Sequence, residues 1–149
     1  METKRIRKSF RYQTQAVWKQ GRKITASVAG KPDLEVSSPP EFKGDPGFWT
    51  PEDLLVTALN ICIMETFLAF AEQKGLGLAA YESSAEALLD FKDGQYRFTE
   101  ITVRPQVAVK SQEDLERARP IMESAHTHCF VSNSITSTVR VLPEFRVAS

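Results

Sequence analysis

TPEDLLVTALNIC, residues 50–62, carries the signals that begin the longest helix predicted from this sequence. The hydroxyl of Thr50 can cap the first free backbone amides, and Pro51 suits the first helical position because its ring already fixes a helical φ. Glu52 and Asp53 place negative charge in the first turn, where the helix dipole favours it. The sequence therefore predicts that a helix begins at Thr50 and Pro51.

Apolar residues surround this predicted helix on nearly every face, and Gly75 supplies its stop signal. The apolar positions are Leu54, Leu55, Ala58, Leu59, Ile61, Cys62, Met64, Phe67, Leu68, Phe70 and Ala71. A helix that is apolar all round is buried, so we expect a sheet on one side of it and a second subunit on the other. Polar groups interrupt residues 54–70, which are predicted to fall short of a membrane span.

Strand signals lie before the helix. Residues 10–28 are rich in Thr, Val, Tyr and Trp and are interrupted at residues 20–22, which predicts two short strands joined by a turn. Residues 34–36 can add a third strand. The Pro- and Gly-rich residues 37–49 are interpreted as a loop within one domain.

A long β-hairpin is predicted after the helix. Residues 78–91 and 95–110 flank the pair Asp93-Gly94, which hairpin turns favour. The second run alternates between apolar and polar residues, as a half-buried strand does. Its apolar positions are Ile101, Val103, Val107 and Val109.

A second helix and a final strand complete the pattern. Ser111 and Asp114 resemble a capping box, which predicts a helix to about Ala125 that Pro120 kinks or splits into two. Residues 135–147 are predicted to return to strand, with inward side chains on either side of Pro143, namely Val139, Val141, Phe145 and Val147. This order of elements predicts an α+β fold with a mostly antiparallel sheet.

Length and composition narrow the class of protein. A chain of 149 residues with 42% hydrophobic content predicts a single domain, 1–149. The 19 basic and 19 acidic residues cancel, which removes the cationic field typical of proteins that bind nucleic acid or membrane surfaces, so neither partner is expected. The basic residues 1–11 could still touch phosphates or acidic lipids, although a solvated arm is the simpler interpretation.

The start of the chain and its two cysteines allow a prediction of the cellular compartment of the protein. No apolar stretch of the kind that a secretory signal requires follows the basic residues, which predicts a cytoplasmic protein. In a reducing compartment, a bond between Cys62 and Cys129 would be transient and catalytic rather than structural. The alternative is that both are small core residues, as free cysteines commonly are.

Two segments carry a family resemblance. Residues 50–62 resemble the P-E-x-L-L-x-x-A-x-x-x-C helix of the OsmC/Ohr family, and CFVSNSI, residues 129–135, is similar to that family's C-P-V-S-x-S-L segment. The two motifs occur in the family's order, with the predicted hairpin between them. Phe130 departs from the pattern, because the family usually has proline there, and this leaves the presentation of Cys129 open.

The resemblance implies a fold, an assembly and an activity. It implies an OsmC-like domain around a long central helix, in an intertwined homodimer with active sites at the subunit interface. It implies a thiol-dependent peroxidase in which Cys62 attacks a hydroperoxide and Cys129 resolves the product as a disulfide. Glu52 and an arginine from the N-terminal strands would prepare Cys62. No cofactor is implied; an external dithiol, such as a lipoyl-bearing protein or a small thiol, would reduce the disulfide.

The chemistry of Cys62 adds a requirement of its own. Apolar neighbours would raise the pKa of its thiol, whereas the thiolate is the nucleophile. The helix dipole fades within the first turn, and Cys62 is about three turns into the helix, so we expect a cation to oppose the burial. Arg22 best matches the family's strand-turn arginine; Arg5, Arg7 and Arg11 remain candidates, and a solvated surface arginine is the alternative.

Glu52 lies ten positions before Cys62, which corresponds to ~15 Å of helix rise. The two side chains could therefore not touch within one subunit. We expect Glu52 to act by holding the arginine across a dimer interface, unless the helix begins later than predicted. A purely structural role in the first turn of the helix is the alternative.

Residues near the thiols suggest a preference for organic hydroperoxides over hydrogen peroxide. The apolar candidates are Phe48, Trp49, Met64 and Phe67, each of which could instead belong to the core or an interface. His126 and His128 beside Cys129 allow a zinc hypothesis, with a helix-end cap as the alternative for one of them. A non-catalytic OsmC-like binding or stress protein, with redox-sensing or inert cysteines, is the alternative to an enzyme.

Overall fold

The computed structural model describes residues 7–149, so Arg5 and the first part of the basic segment lie outside the described residues. The chain divides into two compact units, with the boundary between Glu52 and Asp53. The single domain expected over 1–149 remains a prediction. Each unit has its own sheet.

The first unit contains a three-stranded antiparallel sheet. Its strands are β1 (Gln15–Gln20), β2 (Lys23–Ser27) and β3 (Leu34–Val36), in the order β1-β2-β3. Gly21 has a φ of 54° in the turn between the first two strands, a conformation that glycine adopts without steric cost. The predicted pair of strands, the turn and the third strand are confirmed.

Helix α1 (Pro51–Gln73) begins at the predicted proline. It is followed by Gly75, whose φ of 63° breaks the helical path. Its buried side chains recur every fourth position and form one stripe, consisting of Leu59, Ile63, Phe67 and Ala71. Ile61 is 52% exposed. A single chain therefore buries one face of this apolar helix rather than all of it.

The length of α1 corrects one expectation. The helix has 23 residues, and its most apolar stretch reaches a mean hydropathy of 2.0, so by length and composition alone it could cross a membrane. The sequence prediction that it falls short of a span was wrong, because the scattered polar residues do not lower the average enough. Core helices meet the same criterion, and α1 contributes its stripe to the hydrophobic core of the second unit.

The hairpin is the longest pairing in the chain. Strands β4 (Leu78–Lys92) and β5 (Gln95–Val109) are antiparallel. Asp93 and Gly94 connect them with φ values of 54° and 83°. Two consecutive positive φ values are those of the hairpin turn that Asp-Gly favours, so this prediction is confirmed.

Helix α2 (Gln112–His128) begins as the capping signal predicts, because the Ser111 side chain accepts a hydrogen bond from the Asp114 amide at 3.1 Å. It continues through Pro120 as one element and past Ala125, so the predicted early end and the split into two helices are not observed. Pro120 lies on the exposed face, where water can satisfy the carbonyl that loses its partner.

The tail forms two short strands, β6 (Thr138–Val141) and β7 (Glu144–Val147), which both pair with β5 in parallel. Helix α2 supplies the crossover that parallel pairing needs. Parallel pairing is limited to these two short strands, so the prediction of mostly antiparallel pairing is confirmed. Val147 is 38% exposed rather than inward, because it lies at the end of the chain.

The core of the second unit combines the α1 stripe with β5, α2 and Cys129. Its wholly buried strand residues include Ile101, Val103 and Val109, each 0% exposed. The α2 members are Ala118, Ile121, Met122 and Ala125. Within residues 7–149, two α-helices with one antiparallel and one mixed sheet confirm the predicted α+β class.

Candidate active site

Cys62 lies on α1 beside the buried stripe and is half-buried. It follows Leu59 by three positions and precedes Thr66 by four, so these side chains share one side of the helix. The Thr66 hydroxyl donates to the Cys62 carbonyl at 2.7 Å. Cys62 is therefore partly exposed at the edge of the stripe.

Cys129 ends α2 and is 0% exposed. Its backbone leaves the helical region, with a φ of −69° and a ψ of 118°, which turns the chain away from the helix axis. The Ser132 amide donates to the Cys129 sulfur at 3.4 Å. The helix end therefore delivers this thiol into the core.

The residues after Cys129 form a short hydrogen-bonded turn. The Asn133 amide donates to the Cys129 carbonyl at 3.0 Å, and the Ser134 hydroxyl donates to the Phe130 carbonyl at 2.6 Å. The Asn133 side chain also donates to the Thr127 carbonyl at 3.1 Å. These polar side chains fix the backbone that presents the second thiol.

The two thiols meet across this turn. The Cys62 and Cys129 thiols interact, since each affects the pKa of the other, and the backbone at Val131 and Phe130 also lowers the pKa of Cys62. Both cysteines are free thiols. The sulfur atoms that the sequence separates widely are thus brought together by α1 and the end of α2.

These contacts lower the pKa of the Cys62 thiol. Burial alone would raise this pKa, because it disfavours the charged form, but the amides of Val131 and Phe130 and the thiol of Cys129 outweigh it. Thr66 lowers the pKa of Cys62 less than its position suggests, because its one hydroxyl proton is donated to the Cys62 carbonyl. Cys62 is therefore the thiol of the pair that ionises first.

The opposite holds for Cys129. Burial raises the pKa of its thiol to about 11; the Ser132 amide opposes this rise, and contact with Cys62 adds to it. Two coupled thiols lose their protons in sequence, so the first ionisation is stabilised by the proton that the second thiol keeps. The pair combines a half-buried thiol of lowered pKa with a buried thiol of raised pKa.

The groups that lower the pKa of Cys62 in this chain include no cation among residues 7–149, and the role expected of Arg22 stays a prediction. They are hydrogen-bond donors, chiefly main-chain amides. Arg22 lies in the exposed turn between β1 and β2, and Arg7 and Arg11 are exposed before β1. Main-chain donors cannot be recognised from the residue types in a sequence. The run Ser132-Asn-Ser134 could nevertheless have indicated a turn with free amides.

Glu52 lies in the first turn of α1, as predicted. Its Oε2 atom is buried and has no hydrogen-bond partner among the described residues 7–149. A buried carboxylate oxygen without a donor is costly, so this side chain can accept a further hydrogen bond.

The histidines do not build a metal site with the cysteines. Within residues 7–149, no group of three or more His, Cys, Asp or Glu side chains is placed to hold a metal ion. His128 Nδ1 instead lies 2.8 Å from the Ser124 carbonyl, and its ring meets Phe70 edge-on at 5.5 Å. His128 therefore satisfies a carbonyl near the end of the helix, as the alternative to zinc predicted.

The apolar candidates for a substrate pocket are not equivalent. Phe67 is 0% exposed and packs against Tyr81 in the core, so it does not line a pocket. Met64 is half-buried on α1. Phe48 and Trp49 belong to the first unit. Phe130, which the sequence analysis treated only as a departure from a motif, exposes 82% of its surface next to Cys129.

Several known proteins are similar to this chain. The uncharacterized protein YmaD of Bacillus subtilis strain 168 is 26% identical over 136 residues, which cover 89% of this chain and 91% of that protein. An OsmC-like protein of unknown function from Vibrio cholerae has a TM-score of 0.84 at 23% identity, covering 91% of this chain and 100% of that one. An organic hydroperoxide resistance protein from Elizabethkingia anophelis has a TM-score of 0.73 at 17% identity, covering 97% of this chain and 99% of that one.

The structural matches establish the fold, and the sequence establishes the family. The family of OsmC-like proteins matches residues 44–143, a range that contains both cysteines and the whole of α1, β4, β5 and α2. The resemblance carried by the two cysteine motifs is thereby confirmed, and the chain belongs to the OsmC-like protein family.

Proposed function

We propose that this protein is a thiol-dependent peroxidase that reduces organic hydroperoxides to alcohols. The observation that carries the proposal is the contact between two thiols whose pKa values move in opposite directions. Perturbed and paired thiols of this kind are typical of redox sites. The name of the similar protein from Elizabethkingia anophelis, an organic hydroperoxide resistance protein, points to the same substrate class.

In the first step, the Cys62 thiolate attacks the terminal oxygen of the hydroperoxide. An S–O bond forms while the O–O bond breaks, and the alkoxide takes up a proton and leaves as the alcohol. Sulfur is oxidised by two electrons to a sulfenic acid, and the peroxide is reduced by the same two. The partial exposure of Cys62 and the full burial of Cys129 favour attack by Cys62.

In the second step, Cys129 resolves the sulfenic acid. Its sulfur displaces hydroxide from the Cys62 sulfur, the thiol proton leaves with that hydroxide as water, and an intramolecular disulfide forms. The contact between the thiols supports this step because little chain movement is needed. An external dithiol, a lipoyl-bearing protein or a small thiol, then returns both cysteines to the reduced form.

The ring of Phe130 supports an organic substrate. A large exposed apolar side chain directly after Cys129 offers the alkyl part of a hydroperoxide a surface that hydrogen peroxide cannot use. Half-buried Met64 on α1 remains a second candidate.

We further propose that Arg22 and Glu52 prepare the thiolate. The family resemblance suggests an arginine from a strand turn held by this glutamate, and Arg22 lies in such a turn. The unpartnered Oε2 of Glu52 would be satisfied by a guanidinium. A cation near Cys62 would add to the interactions that already lower its pKa.

A homodimer is part of the same proposal. Ile61 lies in the middle of α1 and is 52% exposed; Ala58 and Ala69 on the same side of the helix are also exposed, with the exposed carboxylate of Glu65 between Ile61 and Ala69. An apolar surface on a central helix is stabilised when a second copy covers it. The cytoplasmic location and the absence of nucleic-acid and membrane partners remain predictions from the sequence.

Light scattering is expected to give twice the chain mass of 16.7 kDa for the native protein. Ile61→Asp should shift the protein toward the single-chain mass, because a charge in an apolar interface is costly. Ile61→Val keeps the apolar surface and should remain dimeric. A native protein that elutes and scatters as a single chain would contradict the dimer.

Consumption of cumene hydroperoxide with dihydrolipoamide as reductant tests the peroxidase. The native protein should consume the peroxide catalytically. The rate of consumption should rise with pH as the Cys62 thiol ionises and should level off below the ordinary cysteine pKa of about 8.5, because the pKa of Cys62 is lowered. Cys62→Ser should be inactive. Cys129→Ser should consume about one equivalent and then stop. Equal rates for native protein and Cys62→Ser would refute the mechanism, and no consumption by any form would favour the binding or stress protein.

Removal of the Arg22 guanidinium should raise the pKa of Cys62, as measured from the pH dependence of its alkylation by iodoacetamide. A cation within a few ångströms of a thiol lowers its pKa by about one unit or more. Arg22→Ala should therefore slow alkylation about tenfold at low pH. Arg22→Lys should keep part of the effect. Arg11→Ala is the matched control; if that variant shifts the pKa and Arg22→Ala does not, the arginine is misassigned.

A further inference from the structure

The backbone at Cys129 has the conformation that a following proline would impose. Its φ of −69° and ψ of 118° are extended, in the region to which a residue before proline is pushed. The C-P-V-S-x-S-L pattern has that proline, whereas this chain has Phe130, which places no such restriction on the residue before it. The conformation of Cys129 therefore depends on other interactions in this chain.

Asn133, at the x position of the pattern, supplies such an interaction. Its side-chain amide donates to the Thr127 carbonyl at 3.1 Å, and its backbone amide donates to the Cys129 carbonyl at 3.0 Å. Asn133 is thus bonded both to the helix that precedes Cys129 and to Cys129 itself. We call these two hydrogen bonds the Asn133 clamp.

The clamp joins the turn to the helix before it. The Ser134 hydroxyl donates to the Phe130 carbonyl at 2.6 Å, and the Ser132 amide donates to the Cys129 sulfur at 3.4 Å, so both of these bonds stay within the turn. The side chain of Asn133 instead reaches back to the last turn of α2. Cys129 lies between the two ends of this connection, which restrains its backbone from both sides.

The Thr127 carbonyl is available because α2 ends at His128. The last four carbonyls of an α-helix have no amide partner within the helix. Thr127 and Asn133 are both exposed, so loss of their bond leaves the polar groups to water rather than unsatisfied in the core. Its removal is therefore expected to change the freedom of the turn more than the stability of the fold.

The freedom of Cys129 affects disulfide formation. Its side chain is 0% exposed, and Cys62 packs against the core cluster to which Cys129 belongs. A thiol held in place beside another reacts with it at a high effective concentration, because the entropy of bringing the two together has already been lost on folding. A turn that lets Cys129 leave this position lowers that effective concentration.

We infer that Asn133 is a positioning residue for the resolving thiol, and that its hydrogen bonds take the place of the restriction that the motif's proline would impose on Cys129. This inference deepens the proposed function and rests on Cys129 being the resolving thiol. Asn133 acts through the backbone of Cys129 rather than on either sulfur.

The equilibrium between the free thiols and the Cys62–Cys129 disulfide, measured in mixtures of reduced and oxidised dithiothreitol, tests the inference. In this exchange the two thiols give two electrons and two protons to oxidised dithiothreitol, which is reduced as the protein disulfide forms. Asn133→Ala should lower the equilibrium constant for disulfide formation about fivefold, the size of one net hydrogen bond.

Ser137→Ala is the matched control. The Ser137 hydroxyl donates to the Phe98 carbonyl at 2.6 Å, so this variant loses a side-chain bond to a carbonyl close to the turn but outside the clamp. Its equilibrium constant should equal that of the native protein. An equal loss in Ser137→Ala and Asn133→Ala would overturn the inference, because it would indicate a general loosening of the chain.

Proline at position 130 should rescue the loss of the clamp. Phe130→Pro restricts Cys129 to the extended region, so the addition of Asn133→Ala to this variant should change the equilibrium constant by about twofold at most. In Phe130→Ala, which removes the ring without that restriction, Asn133→Ala should keep its full effect. An undiminished effect beside proline would contradict the inference. If thermal unfolding shows that Phe130→Pro is not folded, the comparison with Ser137→Ala decides.

These measurements use no peroxide, so they separate the inference from the proposed function. A native protein that forms the disulfide but consumes no hydroperoxide would refute the peroxidase and leave the role of Asn133 intact. A native protein that forms no Cys62–Cys129 disulfide at any ratio of the two reagents would overturn the inference, because there would be no resolving thiol to position.

Discussion

The contact between the Cys62 and Cys129 thiols is the interaction on which the rest of the site depends. Burial makes an isolated thiol inert by raising its pKa, as it does for Cys129. Cys62 escapes that outcome because the partner thiol and the backbone at Val131 and Phe130 lower its pKa. The same contact that promotes the first ionisation places the second sulfur where a disulfide can form.

The fold produces this contact through one helix and one turn. α1 holds Cys62 beside its buried stripe, and α2 carries the chain across the sheet to leave Cys129 at its end. The crossover that makes β6 and β7 parallel to β5 is also what brings the second cysteine back to the first. Serine and asparagine side chains then fix the turn, in which the Ser132 amide donates to the Cys129 sulfur.

Local signals in the sequence predicted local structure well. Thr50-Pro51 located the start of α1, Asp93-Gly94 the hairpin turn, and Ser111 the start of α2. A prediction failed where the outcome depends on the surroundings of a residue: α2 continues through Pro120 instead of splitting there. Side-chain patterns identify the two cysteine motifs of the family, but main-chain N–H groups are the same for every residue except proline.

Thiol counting tests the central claim most directly. The reduced protein is treated with one equivalent of cumene hydroperoxide, free thiols are counted, and peptides are mapped under non-reducing conditions. We expect both thiols to disappear together and a single Cys62–Cys129 peptide to form within one chain. Retention of both thiols, or a bond only between chains, would contradict the account.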